Sequence, residues 1–192
     1  MAADFWFFNG GFCDVTWEKD GGTEYDLYCQ GAIAVRYVED KVERQVANYG
    51  TSPADVMVTG AHSWVEMTIV AAYESETDES LACYATVFGR ATADDTPGTM
   101  AFVVEDPSGA LGSQRYGVLT LKPWEAGVAT ADTSKHIIMP MAVPTVDGAD
   151  IDFDSTSFNR GVKVRFDALV CEETIDTVER KTLWRTGVVP EA

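Results

Sequence analysis

The sequence predicts a mainly β fold: a β-sandwich or barrel of antiparallel strands flanked by one short α-helix. Three observations carry this. Apolar and polar residues alternate with a period of two over several long runs, the signature of half-buried strands. Those runs are rich in β-branched and aromatic residues, which suit a pleated surface. Glycine and proline clusters separate them, and one segment breaks the alternation with helical spacing.

Taken in chain order, strands are expected at Phe12–Trp17 and, after the Asp20-Gly21-Gly22 turn, at the alternating run Ile33, Val35 and Tyr37. Val35, Val38 and Val42 also have helical spacing, but Val42, Arg44 and Val46 fit alternation better. The stretch Val35–Ala47 therefore reads as strand, turn, strand. Gly50-Thr51-Ser52-Pro53 makes the next turn, followed by a short strand Asp55–Val58 and a long one in which Val65, Met67, Ile69 and Ala71 alternate with Trp64, Glu66, Thr68 and Val70. Thr77–Gly89 breaks the pattern, with Leu81, Tyr84, Ala85 and Phe88 at i, i+3, i+4 and i+7. Thr77 or Asp78 can cap its first free N–H groups, the acids Glu76, Asp78 and Glu79 suit its positive end, and Gly89 can take the left-handed closing position. Ala91–Gly98 and Glu105–Tyr116 read as loops around a strand Met100–Val104. Val118–Lys122, His136–Val143, the run Val162 to Val170 and Leu183–Thr186 complete the strands. The whole chain, 1–192, is read as a single domain, a length that buries a core without disulfides or metals.

Charge is the second feature. The chain has 31 acidic and 14 basic residues, a formal net charge of -17, with 46% hydrophobic residues. Acid-rich chains poor in apolar groups stay disordered, whereas this one has apolar residues enough for a core, so its acids belong on a folded surface. Such a surface repels nucleic acid and anionic membranes. Residues 1–96 hold 17 acids and 5 bases, residues 97–192 hold 14 and 9, so the first half is the more negative. The apolar start Phe5-Trp6-Phe7-Phe8 is shorter than a secretory core and no apolar run reaches the ~20 residues of a membrane span. A soluble protein made in a cytoplasm is expected.

Catalytic chemistry has little foothold. His62 and His136 stand far apart, with no second histidine at ligand spacing, and each reads as structural or solvent-facing. A GxSxG elbow and a phosphate-binding GK[ST] loop are both absent. Cys13, Cys29, Cys83 and Cys171 lack zinc spacing and read as free thiols, with a Cys13–Cys29 bridge as the alternative. Asp150, Asp152 and Asp154 resemble the first ligands of a calcium loop, but Ser155 stands where glycine is needed and Gly161 where a bidentate glutamate is needed. An aspartate-rich turn after Asp147-Gly148 is the reading preferred. No enzyme activity, metal or cofactor is expected.

The order of these elements resembles the tail tube proteins of long-tailed bacteriophages, over roughly residues 10–187. The resemblance rests on the run Ile33–Ala47, the turn Gly50-Thr51-Ser52-Pro53-Ala54-Asp55 with Val58-Thr59-Gly60, the strand Ser63–Tyr73 leading into Glu76–Phe88, the segment Ile137-Ile138-Met139-Pro140, the strand Val162–Leu169 and the closing Leu183-Trp184-Arg185. It implies a β-sandwich flanked by one helix, assembled as hexameric rings that stack into a conduit for the genome. The implied partners are further copies of the chain and other tail proteins such as the tape measure and the terminator. DNA would pass without specific binding, and the protein would reside in the virion tail after assembly in the host cytoplasm. Acidic residues would then keep the polyanion off the wall. Strand parity makes Glu43 and Glu66 candidates for the lumen, opposite a core face of Ile33, Val35, Tyr37, Val42, Val46, Val65, Met67 and Ile69. Glu39 and Asp40 would sit at a turn near the rim. The alternatives are another virion part (a tail terminator, head–tail connector or capsid decoration protein), a carbohydrate-binding sandwich using Trp17, Trp124 or Trp184, and a hydrolase.

Overall fold

The structure, a computed structural model, describes residues 12–19, 22, 24–45, 53–71, 91–93, 102–104, 108, 111, 115–145, 160–175 and 177–187. The expected helix Thr77–Gly89, the aspartate string from Asp147 to Asp154, and Cys83 lie outside these residues.

Strands dominate, and all their pairings are antiparallel. In chain order they are β1 (Cys13–Lys19), β2 (Glu24–Leu27), β3 (Cys29–Gln45), β4 (Pro53–Ala71), β5 (Ala91–Ala93), β6 (Phe102–Val104), β7 (Gly117–Glu125), β8 (Val128–Ala129), β9 (Ile137–Thr145), β10 (Arg160–Ala168), β11 (Cys171–Ile175), β12 (Val178–Thr182) and β13 (Arg185–Thr186). One sheet runs in the order β2-β1-β7-β9-β10-β4-β3, with β8 on β7 and β13 on β9; β11–β12 and β5–β6 form separate pairs. The ladder does not close into a barrel among the described residues.

The sheet is nonetheless folded over on itself. Three inter-strand steps separate β1 from β10, roughly 14 Å in a flat sheet at about 4.8 Å per step. The rings of Trp17 on β1 and Phe166 on β10 have centroids only 6.2 Å apart. Their strands must therefore face each other across a core. The chain says the same: β2 and β3, at opposite ends of the sheet order, are joined through Tyr28 alone. Val15, Trp17, Leu27, Val65, Met67, Ile69, Leu119, Leu121, Ile137, Met139, Val164 and Phe166 fill the space between, with Ile33 and Val35 packed at its margin.

Local chemistry explains the irregular points. Pro140 and Met141 on β9 stand opposite the one residue Val118 of β7, where the register slips, so a proline without an N–H costs no ladder bond there. Gly31 takes a φ of 86° where the β3–β4 register jumps between Gln30 and Ala34, a left-handed conformation that favours glycine. Asp132 caps a 3₁₀ turn, Thr133–Lys135, by accepting from the Ser134 N–H and hydroxyl. Its carboxyl is held below the usual range, chiefly by the Ser134 hydroxyl.

Four sequence expectations are corrected. The strand–turn–strand reading of Val35–Ala47 is replaced by the continuous strand β3. Likewise Asp55–Val58 and the run from Ser63 are one strand, β4, with a bulge where Asp40 faces Gly60 and Lys41 faces Val58, leaving Thr59 extra. Thr59 donates its hydroxyl to the Asp40 carbonyl at 3.2 Å, which satisfies the acceptor at the slip. Ala91–Ala93, read as loop, pairs with Phe102–Val104. Val170, read as the end of the last long strand, lies beyond it and is exposed, because β10 ends at Ala168. The hairpin β11–β12 was not anticipated at all.

The Cys13 thiol is free, which excludes a Cys13–Cys29 bridge. Burial, then the Asp14 charge, pushes its pKa up to about 11. His136 is buried, its Nε2 2.9 Å from the Thr130 carbonyl; His62 is exposed and lies 3.0 Å from Asp40.

Candidate functional site

The most distinctive surface is a two-stranded arm. The third strand of this part of the sheet, β10, last pairs with β4 at Asp167 and Trp64. The β3–β4 ladder continues alone to Gln45 and Pro53. The unsupported stretch of β4, from Ser63 to Pro53, spans roughly 30 Å at about 3.3 Å per residue. Among the described residues, no core lies beneath it. Tyr37, Val38, Val42, Val56, Met57 and Val58 are 45 to 63% exposed. Tyr37 and Val42 were expected to face a core, and they do not, because their strand has left the sheet.

Pairing sorts the arm into two faces. Because β3 is unbroken, its odd-numbered side chains share one face. Tyr37 donates its hydroxyl to Glu39 at 3.1 Å, and Lys41 lies 2.9 Å from the same carboxylate. Glu39 is held below the ordinary glutamate value by the Lys41 hydrogen bond, then by that of Tyr37, and the same bond to Glu39 raises Lys41. Glu43 continues this row, with Val58 opposite Lys41 and Val56 opposite Glu43. At its root the face merges with the core side, where Ile33 and Val35 pack.

The other face carries a polar web. Arg36 binds Glu66 at 3.2 Å, the Trp64 indole donates to Glu66 at 3.1 Å, and the Arg165 guanidinium lies 4.6 Å from the Trp64 ring centroid. Arg165 in turn donates to Asp167 at 2.7 Å. Asp40 and His62 pair farther out, and Val42 and Met57 follow.

Of the four acids singled out from sequence, all lie on the β3–β4 ribbon, but not as expected. Glu39 and Asp40 are mid-strand and not at a turn. Glu66 is exposed on the face away from Val65 and Met67, as parity requires. Glu43 lies on the opposite face from Glu66, because no turn between Tyr37 and Val42 resets the alternation. Two of the four already have cationic partners, Glu39 with Lys41 and Glu66 with Arg36, and Asp40 lies 3.0 Å from the His62 imidazole.

A groove opens between the arm's root and the β11–β12 hairpin. Its volume is about 610 Å³, and Tyr37, Ile175, Arg180, Lys181, Leu183 and Trp184 are among the residues that line it. Arg185 anchors its floor by donating to both oxygens of Glu173, at 3.1 and 3.3 Å, in a pair whose side chains are 19% and 15% exposed. Arg180 and Lys181 are exposed and close no ion pair among the described residues. Sequence reading missed this site. Its signal was the alternation of Cys171, Glu173 and Ile175 with Glu172 and Thr174, hidden by so many charged residues.

No group of three or more histidine, cysteine, aspartate or glutamate side chains poised to hold a metal occurs among the described residues. Nor does any helix among them have the length and apolarity to cross a membrane. Trp17, considered as a sugar platform, is 1% exposed and part of the core. Trp124 donates to Asp14 at 2.7 Å and packs against Phe12.

No family model matches the chain, and no curated protein matches it. Among solved structures, a chain of the 6-fold symmetrised cryo-EM structure of the anti-feeding prophage baseplate aligns with it over 91% of both chains, at a TM-score of 0.44 and 8% identity.

Proposed function

We propose that this protein is a structural virion component, the subunit of a phage tail tube, whose copies form hexameric rings that stack into a conduit for DNA. The arm carries this reading. An isolated two-stranded ribbon is marginally stable at best in water, and this one exposes large apolar side chains on both faces. It also offers strand edges unpaired among the described residues: β3 ends the sheet order, and β4 has no such neighbour beyond Trp64 on its other side. Apolar surface of this kind marks an interface, and an open edge accepts another strand. Copies of the same chain supply both, and repeated head-to-tail contacts close into rings. The formal charge of -17 suits a conduit that must not hold a polyanion. The reading assigns the protein no catalytic activity and no cofactor, and gives it other tail proteins as neighbours at the ends of the tube.

Negative-stain microscopy and sedimentation velocity of the purified protein across a range of salt and protein concentrations test it. Rings and long hollow tubes are the expected result. Rings that never stack would move the protein to another virion part, such as a terminator or connector. A strictly monomeric species at high concentration, at every salt, would refute the reading.

A further inference from the structure

We propose that the groove between the arm's root and the β11–β12 hairpin receives the distal arm of a second copy, with Glu43 of one copy against Arg180 and Lys181 of the next. The inference rests on the tube reading above and names the contact that builds the ring.

The groove and the distal arm are complementary in chemistry. The groove combines the apolar side chains of Ile175, Leu183 and Trp184 with two exposed cations. Glu173 and Glu172 lie across the ladder from Arg180 and Lys181. Glu173 is taken by Arg185, however, and Glu172 closes no ion pair with Lys181. The odd-numbered face of the distal arm presents the reverse set: Glu43, exposed and without an ion pair among the described residues, beside Val56 at 45% and Val58 at 52% exposure. Opposed charges of this kind select partner and register at an interface.

The contact cannot form within one chain. Glu43 is six residues beyond Tyr37 on one continuous strand, roughly 20 Å away at about 3.3 Å per residue, and Tyr37 is at the groove. The arm therefore carries Glu43 away from its own groove and toward another copy's. A contact between two unlike patches is heterologous, so it propagates and closes into a ring if the rotation allows. For copies that each carry -17, contact is favoured where unpaired cations meet an unpaired acid.

Charge reversal tests the pairing. Full-length Glu43→Lys and the double variant Arg180→Glu/Lys181→Glu are compared with wild type by sedimentation velocity and negative-stain microscopy. Each variant alone should need at least a tenfold higher concentration to assemble. An equimolar mixture should recover assembly, because each variant keeps the half the other has lost and reversed arm meets reversed groove. All three positions are exposed, so thermal midpoints should stay near wild type. If a reversal lowers the midpoint, Glu43→Gln and Arg180→Gln/Lys181→Gln replace it, with a severalfold loss expected. Wild-type assembly undisturbed by the reversals would overturn the groove contact and leave the tube reading standing. Loss of assembly that mixing does not restore would overturn the Glu43 pairing. A wild-type protein that stays monomeric throughout would overturn both.

Discussion

Gly117→Ala is the sharpest test of how the two halves of the sheet close. Gly117 begins β7 opposite Lys19 of β1, and the Trp17 indole lies over it. A methyl group added there would stand 2.4 Å from the Glu18 carbonyl oxygen and 2.7 Å from two atoms of the Trp17 indole. The carbonyl belongs to the paired strand, so it cannot rotate away. The strand must retreat by roughly half an ångström, or Trp17 must leave its place against Phe166. Overpacking of this kind costs about 1–3 kcal/mol, and the backbone clash puts the cost at or above the top of that range. In a domain of this size about 3 kcal/mol lowers the melting temperature by roughly 6–12 °C. Gly60→Ala is the control. Its methyl would meet only the Asp40 side chain, at 3.2 Å from Oδ2, which is exposed and can swing aside. Urea and thermal unfolding followed by tryptophan fluorescence should show a large loss for Gly117→Ala and almost none for Gly60→Ala. Equal midpoints for the two variants would mean that Trp17 does not cover Gly117 and that the core is built otherwise.

Burial should rank the ion pairs. Glu173→Ala should cost about 1.5–3 kcal/mol in urea unfolding, the range for hydrogen bonds to charged groups, because its partner Arg185 is mostly buried. Arg36→Ala, which breaks a pair about half exposed on both sides, should cost under about 1 kcal/mol; the reverse order would refute the assignment of Glu173 as an anchor. The Glu39 carboxylate should titrate below an ordinary glutamate in a carbon-detected NMR titration, and Lys41→Gln should move it back up. A depressed folded pKa means that the contribution is present above the unfolded value, about 4.3, and disappears as the pH falls through the lowered one. A Glu39 titration unmoved by Lys41→Gln would refute this cause.

How far the sequence could be read depended on whether a strand had a core beneath it. Val65, Met67, Ile69, Val164 and Phe166 alternate cleanly with polar residues, and the structure buries all five. Their strands sit inside the sheet, where period two reports one wet face and one dry face. The same rule failed at Tyr37 and Val42. Those residues differ in parity, and the reading inserted a turn to put both on the core face. Among the described residues no core lies there; β3 keeps its alternation unbroken through Asp40 and Lys41, and a bulge in β4 absorbs the irregularity. Apolar residues on both faces of a strand signal a missing partner, which alternation alone cannot express. The groove was invisible for another reason. Arg180 and Lys181 sit in a short charged strand whose pairing with β11 brings them beside Tyr37, about 140 residues earlier in the chain. No spacing rule links positions so far apart.

The ribbon geometry also revises where a repulsive wall could come from. The strands β3 and β4 hold five acids and three bases, so they carry little of the first half's excess; residues 1–28 and 72–96 each hold six acids and one base. With Glu39 and Glu66 paired to Lys41 and Arg36, much of the arm's negative charge is offset locally, and screening over about 8 Å at physiological salt weakens what is left. An arm lining the bore would present a smooth wall and not a strongly negative one. A ribbon also shows only one face to the bore, so Glu43 and Glu66 cannot both line it. If Glu43 is buried between copies, the face with Arg36, Trp64 and Glu66 stays in solvent. Glu66→Lys should then leave tube assembly intact, while Glu43→Lys blocks it. A tube reconstruction should place the two residues on opposite sides of each arm. Both on the bore would refute the unbroken alternation of β3. Loss of tubes with Glu66→Lys, from a variant that still folds, would move the contact between copies to the polar face.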